Sequence, residues 1–506
     1  MTLARTWSVG LAGVTGAMVE VEVDMSAGLP GVALVGLPDA VVRQSVDRVR
    51  AAVVNTGASW PMRRITIGLS PASMPKQGSG FDLALAAAVL AAAGAVPADA
   101  ADGLVLLGEL GLDGSVRPVR GVLPAVLAAR RAGHRTVVVP AGNADEAALV
   151  DGAEVLPAGT LGDLVDHLSG RARLAAHARG PLPPPAPVPD LGDVVGQAAG
   201  RRAVEVAAAG GHHLFLTGPP GAGKTMLAER LPGLLPVLDE RAALEVTAIH
   251  SVAGTLPPDA PFVSRPPFEA PHHSATMAAL VGGGSGAIRP GALCRAHRGV
   301  LFLDEAPEFP RATLDTLRQP LERGAVTISR AAGSATFPCR AQLVLAANPC
   351  PCASAAGDAA CTCSPLERRR YQARLSGPLL DRIDLRVELP PVGRAAWLGA
   401  GAEPESTTTV AARVAVAREA AAARLRGTGL ALNSQVPGRL LRERWPVPRP
   451  ALALAERALD RGLLSVRGLD RVLRVSWTLA DLDGRPVPHA DDVTEALGMR
   501  LQRVAA

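Results

Sequence analysis

Eight consecutive residues have the types and spacing needed to hold the phosphates of a nucleotide. Residues 218–225 fit the phosphate-binding loop pattern G-x-x-x-x-G-K-[ST], with an apolar, strand-like run before them and a helical pattern after them. Three glycines allow backbone N–H groups to point at the phosphates, and the helix that begins there adds the positive end of its dipole. The predicted nucleotide-binding residues are Gly218, Pro219, Pro220, Gly221, Ala222, Gly223, Lys224 and Thr225.

The last two residues of this loop carry its chemistry. Lys224 is predicted to reach the β- and γ-phosphates of ATP, and Thr225 is predicted to ligate Mg²⁺. Lys224 and Lys76 are the only two lysines among the 52 basic residues of the chain. A compact ammonium suits a position among phosphates, so a lysine here, in a chain that otherwise uses arginine, supports the interpretation.

Two further strand ends could complete a hydrolytic site. The apolar run at 299–303 ends in Asp304 and Glu305, the Walker B pattern, in which Asp304 would hold Mg²⁺ through water and Glu305 would act as general base. A third apolar strand at 342–347 ends in Asn348, where the AAA+ ATPases carry a sensor of the γ-phosphate. The sequence therefore predicts a Mg²⁺-dependent ATPase.

Length and composition limit the other functions that the chain could have. A chain of 506 residues predicts about three domains, and 48% hydrophobic residues predict that they are globular. Only 3% of residues are aromatic, which argues against broad stacking platforms for single strands, and a net charge of +5 requires any nucleic-acid contact to come from a local patch. With no signal-peptide pattern and no apolar stretch long enough to span a bilayer, we expect a cytoplasmic protein without membrane contact.

Hydrophobic periodicity divides the chain into regions. Strand and helix patterns alternate up to residue 170, six prolines at 180–189 predict a stiff linker, and the chain is mainly helical from about residue 391. The predicted strands of the first region lie at residues 19–24, 64–69 and 136–139. The predicted helices lie at residues 39–55, 83–96, 122–132, 406–425, 463–479 and 491–504. Between the strands that end in Asp304 and Asn348, residues 324–337 predict a β-hairpin with Arg330 near its tip.

Four of the six cysteines form two C-x-C pairs. Cys350 and Cys352 are followed, after eight residues, by Cys361 and Cys363. Four thiolates could close a tetrahedral zinc site, although C-x-C pairs are less usual there than C-x₂-C, and reduced free thiols are the alternative. The isolated Cys294 and Cys339 are expected to be buried.

Two segments of the first region resemble the proteolytic domain of Lon protease. They are residues 75–82, Pro-Lys-Gln-Gly-Ser-Gly-Phe-Asp, and residues 108–119, which run from Gly-Glu-Leu-Gly to Arg-Pro-Val. In Lon the first segment carries the nucleophilic serine and the second leads to a catalytic lysine. Here the serine position holds Gly80, with Ser79 one residue away, and the lysine position holds Leu123. The resemblance implies a Lon-like structural or binding domain that lacks the catalytic dyad.

The order of motifs along the whole chain resembles the magnesium-chelatase-like AAA+ proteins of the YifB/ComM family. The motifs beyond the two Walker patterns are Pro-His-His-Ser at 271–274, Gly-Gly-Gly at 282–284, Asn-Pro-Cys-Pro-Cys at 348–352 and Ser-Gly-Pro-Leu-Leu-Asp-Arg-Ile-Asp at 376–384. The resemblance implies an α/β chain with a Lon-like domain at 1–172, a linker at 173–190, an AAA+ domain at 191–390 and a helical lid at 391–506. It also implies a ring, expected to be a homohexamer, in which Arg382 is an arginine finger acting in trans and Arg467 is a second sensor reaching back from the lid.

Three functions compete for this ring. A DNA motor of ComM type, in branch migration or as a helicase, is favoured by the hairpin, because an insertion before the sensor strand would place six copies of Arg330 in the central channel. A chelatase-type ATPase acting through a tetrapyrrole partner is the second, and a chaperone-like ATPase whose Lon-like domain holds peptides is the third. Stimulation of ATP turnover by DNA, by a chelatase partner or by unfolded peptide would separate them.

Overall fold

The computed structural model describes residues 2–257, 260–284, 288–330, 333–353, 361–393 and 404–501. Three predicted features extend outside the described residues: the hairpin turn at 331–332, part of the C-terminal region at 394–403, and the end of the last helix at 502–504. The described chain forms two large sheets flanked by helices, three two-stranded hairpins and a C-terminal group of helices, so the predicted α/β class is confirmed.

The first region is built on a seven-stranded sheet. Its strands, with one small additional hairpin, are β1 (Thr2–Ala12), β2 (Thr15–Ser26), β3 (Gly31–Val35), β4 (Arg64–Ser70), β5 (Leu104–Leu106), β6 (Glu109–Leu110), β7 (Val116–Arg117), β8 (Thr136–Pro140) and β9 (Glu154–Ala158). Its helices are α1 (Ala40–Asn55), α2 (Asp82–Ala92), α3 (Val122–Arg131), α4 (Ala144–Ala147) and α5 (Leu161–Leu168). The strand order is β3-β4-β2-β1-β5-β8-β9, with β1 and β2 antiparallel along the whole of β1.

Burial explains two elements of this region that the sequence predicts. The alternating stretch lies in β2, where Val19, Val21 and Val23 are fully buried and the glutamates between them are partly exposed. The alanine-rich stretch forms α2, in which every residue is buried. This helix ends earlier than the predicted residue 96, because Gly94 takes a left-handed conformation (φ +74°) that turns the chain.

The middle region is built on a five-stranded parallel sheet and two short hairpins. The strands are β10 (Leu214–Thr217), β11 (Phe268–Glu269), β12 (Gly282–Gly283), β13 (Arg289–Pro290), β14 (Val300–Leu303), β15 (Ala325–Arg330), β16 (Gly333–Pro338), β17 (Gln342–Ala347) and β18 (Leu385–Glu388). The helices are α6 (Ala198–Gly210), α7 (Lys224–Leu234), α8 (Glu240–Ala253), α9 (Met277–Val281), α10 (Ala292–Arg295), α11 (Arg311–Asp315), α12 (Arg318–Arg323), α13 (Pro365–Gln372) and α14 (Gly377–Leu380). The sheet order β11-β14-β17-β10-β18 makes β10, β17 and β14 neighbours, so their carboxyl ends meet at one edge.

The C-terminal region is helical, as the sequence predicts. Its helices are α15 (Thr407–Arg424), α16 (Gly438–Arg444), α17 (Arg449–Asp460), α18 (Val466–Leu482) and α19 (Ala490–Leu501). Helix α18 begins later than the predicted residue 463 because the Ser465 hydroxyl caps it by accepting from the Gly468 N–H at 3.1 Å. Apolar side chains of these helices, Trp477 among them, share one core with Leu216 of β10. Among the described residues, no helix is both long and apolar enough to cross a membrane.

A buried ion pair connects the C-terminal helices to the parallel sheet. Asp384, just before β18, accepts from Arg471 of α18 at 2.5 Å and from the His213 backbone N–H at 3.1 Å. Burial alone would raise the pKa of Asp384, but the adjacent His212 and Arg471 hold it well below its usual range. Removing one partner of such a buried pair typically costs about 3–5 kcal/mol, so the pair fixes α18 against the sheet.

Candidate active site

The phosphate-binding loop lies at the edge where the parallel strands end. It connects β10 to α7, and Gly221 and Gly223 have φ values of +75° and +85°, which favour glycine. At Gly218 a side chain would be excluded, since a Cβ there would lie 2.6 Å from the Leu389 backbone oxygen. The sequence therefore meets the backbone requirements of a loop that wraps around phosphate groups.

Lys224 is buried at the centre of this loop. Its ammonium donates to the backbone oxygens of Gly218 at 2.7 Å and Pro219 at 2.9 Å, and to Oδ1 of Asn348 at 3.0 Å. Burial lowers the pKa of Lys224, while the nearby Asp304 and Glu305 oppose that shift. All three ammonium donors are thus directed at acceptors that phosphate oxygens could replace, and the side chain of Asn348 is one of these acceptors.

Thr225 and Asp304, the two residues predicted to hold Mg²⁺, are in direct contact. The Thr225 hydroxyl donates to Oδ2 of Asp304 at 2.7 Å, and Oδ1 of the same carboxylate accepts from the Glu305 backbone N–H at 2.9 Å. A hydroxyl and a carboxylate side by side are hard oxygen donors of the kind that Mg²⁺ prefers, and Mg²⁺ commonly uses one or two protein ligands together with phosphates and water. These two residues fit the ion and would hold it against the phosphates.

Glu305 occupies a strained position directly after Asp304. Its backbone is left-handed (φ +49°), and its half-exposed carboxylate lies 3.3 Å from Nδ1 of His273. His273 belongs to the Pro-His-His-Ser motif, and its ring lies 4.0 Å from that of His272. The fold thus places this motif against the proposed general base. The sequence did not indicate that contact, because His273 and Glu305 are far apart along the chain.

Helix α13 contains a buried residue that the sequence interpretation missed. Tyr371 in α13 is buried, and the residue after it, Gln372, donates from Nε2 to the Pro349 backbone oxygen at 3.4 Å, next to Asn348. Burial, reinforced by Glu308 and Glu305, raises the pKa of Tyr371 to about 12, so the phenol stays protonated. Tyr371 is the single tyrosine of the chain, and this rarity is a signal that could have drawn attention to it.

The two predicted arginines lie together, in a cavity of about 270 Å³ at the base of the C-terminal helices. Its described lining consists of Glu322, Asp381, Arg382, Arg467, Asp470, Arg471 and Arg474, with no residue of the phosphate-binding loop among them. The Arg382 guanidinium donates to the backbone oxygen of Arg318 at 3.1 Å and pairs with Glu322. The structure therefore brings Arg467 next to Arg382, in a cavity separate from the loop that holds Lys224.

The four paired cysteines converge. The Sγ atom of Cys350 lies 3.2 Å from that of Cys352 and 3.4 Å from that of Cys361, and the Sγ atoms of all four cysteines lie within 4.8 Å of one another. A tetrahedral site with Zn–S bonds of about 2.3 Å has sulfur atoms roughly 3.8 Å apart, so the donor set and its spacing fit a metal ion. The cluster could hold such an ion, whereas Cys294 and Cys339 are buried and lie outside it, as predicted.

The Lon-like segments line a second cavity, of about 450 Å³, but without the dyad. Ser79, Gly80 and Glu109 form part of its wall, and the Ser79 hydroxyl donates to the Glu109 carboxylate. Leu123, at the position of the Lon lysine, is fully buried in α3. The described residues that line this cavity include neither lysine nor histidine, and a carboxylate alone is a poor base for acyl transfer.

We predict that a fluorophosphonate probe does not label Ser79, because its hydroxyl is paired with a weakly basic carboxylate that does not activate it as a nucleophile. The measurement is mass spectrometry of the labelled protein, with Ser79→Ala as the matched control. Labelling of the natural protein that disappears in Ser79→Ala would contradict this prediction.

Arg330 lies on the predicted hairpin, at the end of β15 and opposite Gly333 in β16. Its side chain is exposed, and its guanidinium packs beside Gly283 of the second hairpin, β12–β13. Strand β16 also meets the turn between β1 and β2, where a Cβ on Gly13 would lie 2.9 Å from the Thr336 backbone oxygen. The hairpin is thus held between the second hairpin and the first region.

The parallel sheet carries a phosphate-binding loop, a Walker B pair and a polar residue at the sensor position on adjacent strand ends. This combination defines a P-loop ATPase of the AAA+ class. Profiles of magnesium chelatase match most of the chain. The family model described as magnesium chelatase, subunit ChlI, matches residues 190–396. A second model, subunit ChlI of Mg-chelatase, matches residues 21–143. A third model, the C-terminal part of magnesium chelatase subunit ChlI, matches residues 404–500.

Relatives of nearly the same length place the chain in a narrower family. An uncharacterised protein of Mycobacterium tuberculosis is 57% identical over 500 residues, 99% of both chains. Competence protein ComM of Haemophilus influenzae is 41% identical over 99% of this chain and 98% of its own, and YifB of Escherichia coli is 41% identical over 99% and 97%. The chain belongs to the magnesium-chelatase-like AAA+ family that includes ComM and YifB.

Part of the chain is also similar to Lon proteases. Archaeal Lon protease of Methanothermobacter thermautotrophicus is 32% identical over 132 residues, which are 25% of this chain and 20% of that protein. The similarity is limited to part of the Lon chain and does not restore the missing dyad.

Proposed function

We propose that the protein hydrolyses Mg²⁺-ATP, with Lys224 on the phosphates, Thr225 and Asp304 on Mg²⁺, Glu305 as general base and Asn348 as the γ-phosphate sensor. The observation that carries the proposal is the convergence of Lys224 and Asn348 at 3.0 Å and of Thr225 and Asp304 at 2.7 Å, although these residues come from three different strand ends. We also propose the domain boundaries predicted above, with a Lon-like domain at 1–172, a linker at 173–190, an AAA+ domain at 191–390 and a lid at 391–506.

We further propose that hydrolysis needs a ring of identical subunits, six by family resemblance. Arg382 and Arg467 share a cavity whose described lining includes no residue of the phosphate-binding loop, so they are available to contact the nucleotide of a neighbouring subunit. Acidic residues in that cavity, such as Glu322, hold the Arg382 guanidinium until phosphate charge replaces them. On this proposal Arg467 acts in trans beside Arg382, rather than reaching back to its own nucleotide.

We propose DNA as the substrate of the ring. The support is the β15–β16 hairpin, whose exposed Arg330 precedes the sensor strand β17, together with the 41% identity to a protein named for competence. Arginines at one level of a ring would create a local positive field that a net charge of +5 does not reveal. Contacts of this kind would position DNA through its phosphates without reading its sequence.

Arg330→Ala should leave basal ATP hydrolysis intact while it weakens DNA binding and DNA-stimulated turnover. The slope of log affinity against log salt concentration should fall by up to about 0.9 for each arginine that neutralises a phosphate of duplex DNA. Binding isotherms at several salt concentrations and unwinding of branched DNA measure this. Arg311→Ala is the control variant, because it also removes one positive charge. The Arg311 side chain is 66% exposed on α11, and this variant should behave as wild type. Equal salt slopes and equal unwinding for Arg330→Ala and wild type would contradict the DNA proposal.

Two other substrates remain as alternatives for the same ATPase. A chelatase-like function is suggested by the profiles that match, and a chaperone-like one by the 450 Å³ cavity in the Lon-like region. Steady-state ATP hydrolysis measured with branched DNA, with a chelatase partner and with an unfolded peptide separates the three. Stimulation by peptide or partner, but not by DNA, would replace the DNA motor with the corresponding alternative.

We propose zinc as the metal for Cys350, Cys352, Cys361 and Cys363, because four thiolates at tetrahedral spacing select a borderline-soft ion over Mg²⁺ or Ca²⁺. Protein purified without added metal should contain about one zinc per chain by elemental analysis. The variant Cys352→Ser should lose most of it, and Cys339→Ser, which lies outside the cluster, should retain it. Protein with no zinc, but with reactive thiols, would contradict the proposal.

A further inference from the structure

The cavity of about 450 Å³ beside the Lon-like segments is shared by two regions of the chain. The first region contributes residues 77–81 and 118–122 to its wall, and the middle region contributes Arg289 of β13 and residues 333–335 of β16. Ligand-binding sites usually have volumes of about 300–1,000 Å³, and they are common where two domains meet. A ligand in this cavity would therefore contact both the Lon-like segments and the hairpin that carries Arg330.

Two arginines in the wall have no acidic partner. Arg120 comes from the first region and Arg289 from the middle region, and both are exposed. Within the described part of the chain, neither side chain makes an ion pair or a hydrogen bond. Guanidinium groups form strong, charge-assisted hydrogen bonds with carboxylates and phosphates. The two arginines therefore favour an anionic ligand.

The wall also offers both donors and an acceptor. The backbone N–H groups of Ser79 and Gly80 have no hydrogen-bond partner among the described residues. Oε2 of Glu109 accepts from the Ser79 hydroxyl, which leaves Oε1 as a second acceptor. A peptide backbone can use donors and acceptors alike. The DNA backbone offers acceptors only, and its phosphates would be repelled by Glu109. The wall therefore suits an acidic peptide better than it suits DNA.

Gly80 keeps this part of the wall open although the fold does not require a glycine there. Its φ is outside the left-handed region, and a Cβ at this position would meet no atom of the described chain within 4 Å. Glycine costs more conformational entropy on folding than any other residue, and it is often used where a ligand comes close to the backbone. An extended segment could thus lie directly against the backbone of Ser79 and Gly80.

We propose that this cavity binds a short, extended peptide segment of another protein, with a carboxylate of the segment held by Arg120 and Arg289. Apolar side chains of the segment would pack on the apolar part of the wall, which includes Leu11, Val122 and Ile288. The bound segment would connect the first region to the β15–β16 hairpin. This inference goes beyond the proposed function, because it gives the ATPase a docking partner that is distinct from the substrate of the ring.

The first test measures peptide binding to the full chain without nucleotide or DNA, so its outcome does not depend on ATP hydrolysis. The probe is a fluorescent, capped peptide of valine and alanine with a central glutamate, and fluorescence anisotropy gives its affinity. It should bind at least about 10-fold more tightly than the same peptide with a central glutamine, since hydrogen bonds to charged groups are the stronger ones.

A third peptide separates the two sources that a carboxylate could have. It contains the central glutamine and a free carboxyl end. Tight binding of this peptide alone would identify a chain end as the ligand, whereas tight binding of the glutamate peptide alone would identify an internal acidic residue. Either result supports the site. If neither carboxylate-bearing peptide binds more tightly than the neutral one, the proposal fails.

Two variants locate the bound peptide. Arg289→Ala should weaken binding by about 10–100-fold, with Arg311→Ala as the matched loss of charge outside the cavity. Gly80→Leu should abolish binding, because its side chain would occupy the open space. Gly180→Leu is its control: a Cβ at Gly180 also meets no described atom within 4 Å, but it lies in the linker. Wild-type affinity in Arg289→Ala, or in a Gly80→Leu protein with an unchanged Tm, would overturn the proposal.

Hydrogen exchange tests whether the peptide reaches the hairpin. Backbone amides of β16 should exchange more slowly when the glutamate peptide is bound, because β16 forms part of the wall, and Gly80→Leu should remove this effect. Unchanged exchange in β16 with the peptide bound would contradict the proposed site. If no peptide binds, and Arg120→Ala and Arg289→Ala weaken DNA binding as much as Arg330→Ala does, the two arginines belong to a DNA surface and the peptide site fails.

Discussion

Arg382→Ala should lower kcat for ATP hydrolysis by about 10³–10⁵-fold, the range known for arginines that stabilise the charge of a transferring phosphoryl group. The guanidinium of Arg382 is already aligned by Glu322 and by two backbone oxygens, so little side-chain freedom remains to be lost when phosphate replaces them. ATP affinity should change far less than kcat, because Lys224 and the loop around it are untouched. Steady-state kinetics with a separate nucleotide-binding assay measure the two effects.

The same variant tests whether the arginine acts on a neighbour. Mixing Arg382→Ala with Glu305→Gln should restore activity, since some interfaces then combine an intact arginine with an intact general base. Arg439→Ala is the matched control, because the Arg439 side chain is 84% exposed on α16. This variant should be as active as wild type. If the mixed rings assemble and no activity returns, Arg382 does not act in trans.

The nucleotide site could be predicted from the sequence because its parts are local. A strand, a glycine-rich turn and a helix are consecutive at 213–231, and each acidic or polar residue of the site directly follows an apolar run. Parallel strands bring such ends to one edge of a sheet, so the contacts of Lys224 with Asn348 and of Thr225 with Asp304 follow from the strand order. The hairpin of Arg330 was predictable because its two strands are also consecutive in the sequence.

The remaining features depend on packing between distant segments. Arg467 lies beside Arg382 because α18 is fixed to the segment before β18 by the pair of Arg471 and Asp384, an arrangement that no local pattern encodes. Gln372 of α13 donates to the Pro349 backbone oxygen, a contact between residues 23 positions apart that no local pattern encodes. In both cases the sequence shows the residue type, and only the fold shows its partner.

Glu305→Gln should bind ATP and fail to turn it over, with kcat lower by about 10²–10⁴-fold, the usual contribution of a positioned general base. The amide keeps the size of the carboxylate but cannot take a proton from water, so the loss is chemical and not steric. The carboxylate is half-exposed and lies at the strand end next to Asp304, the position from which a general base would act on water beside the γ-phosphate of a bound nucleotide.

Lys224→Ala provides the contrast that assigns this loss to chemistry. It removes the ammonium from the centre of the phosphate-binding loop, so we expect it to abolish ATP binding, which Glu305→Gln should retain. Equilibrium binding of a fluorescent ATP analogue and steady-state phosphate release, measured on both variants, separate the two defects. Hydrolysis by Glu305→Gln at a rate close to that of wild type would remove Glu305 from its role, and His273, 3.3 Å away, would then be the next residue to test as the group that activates water.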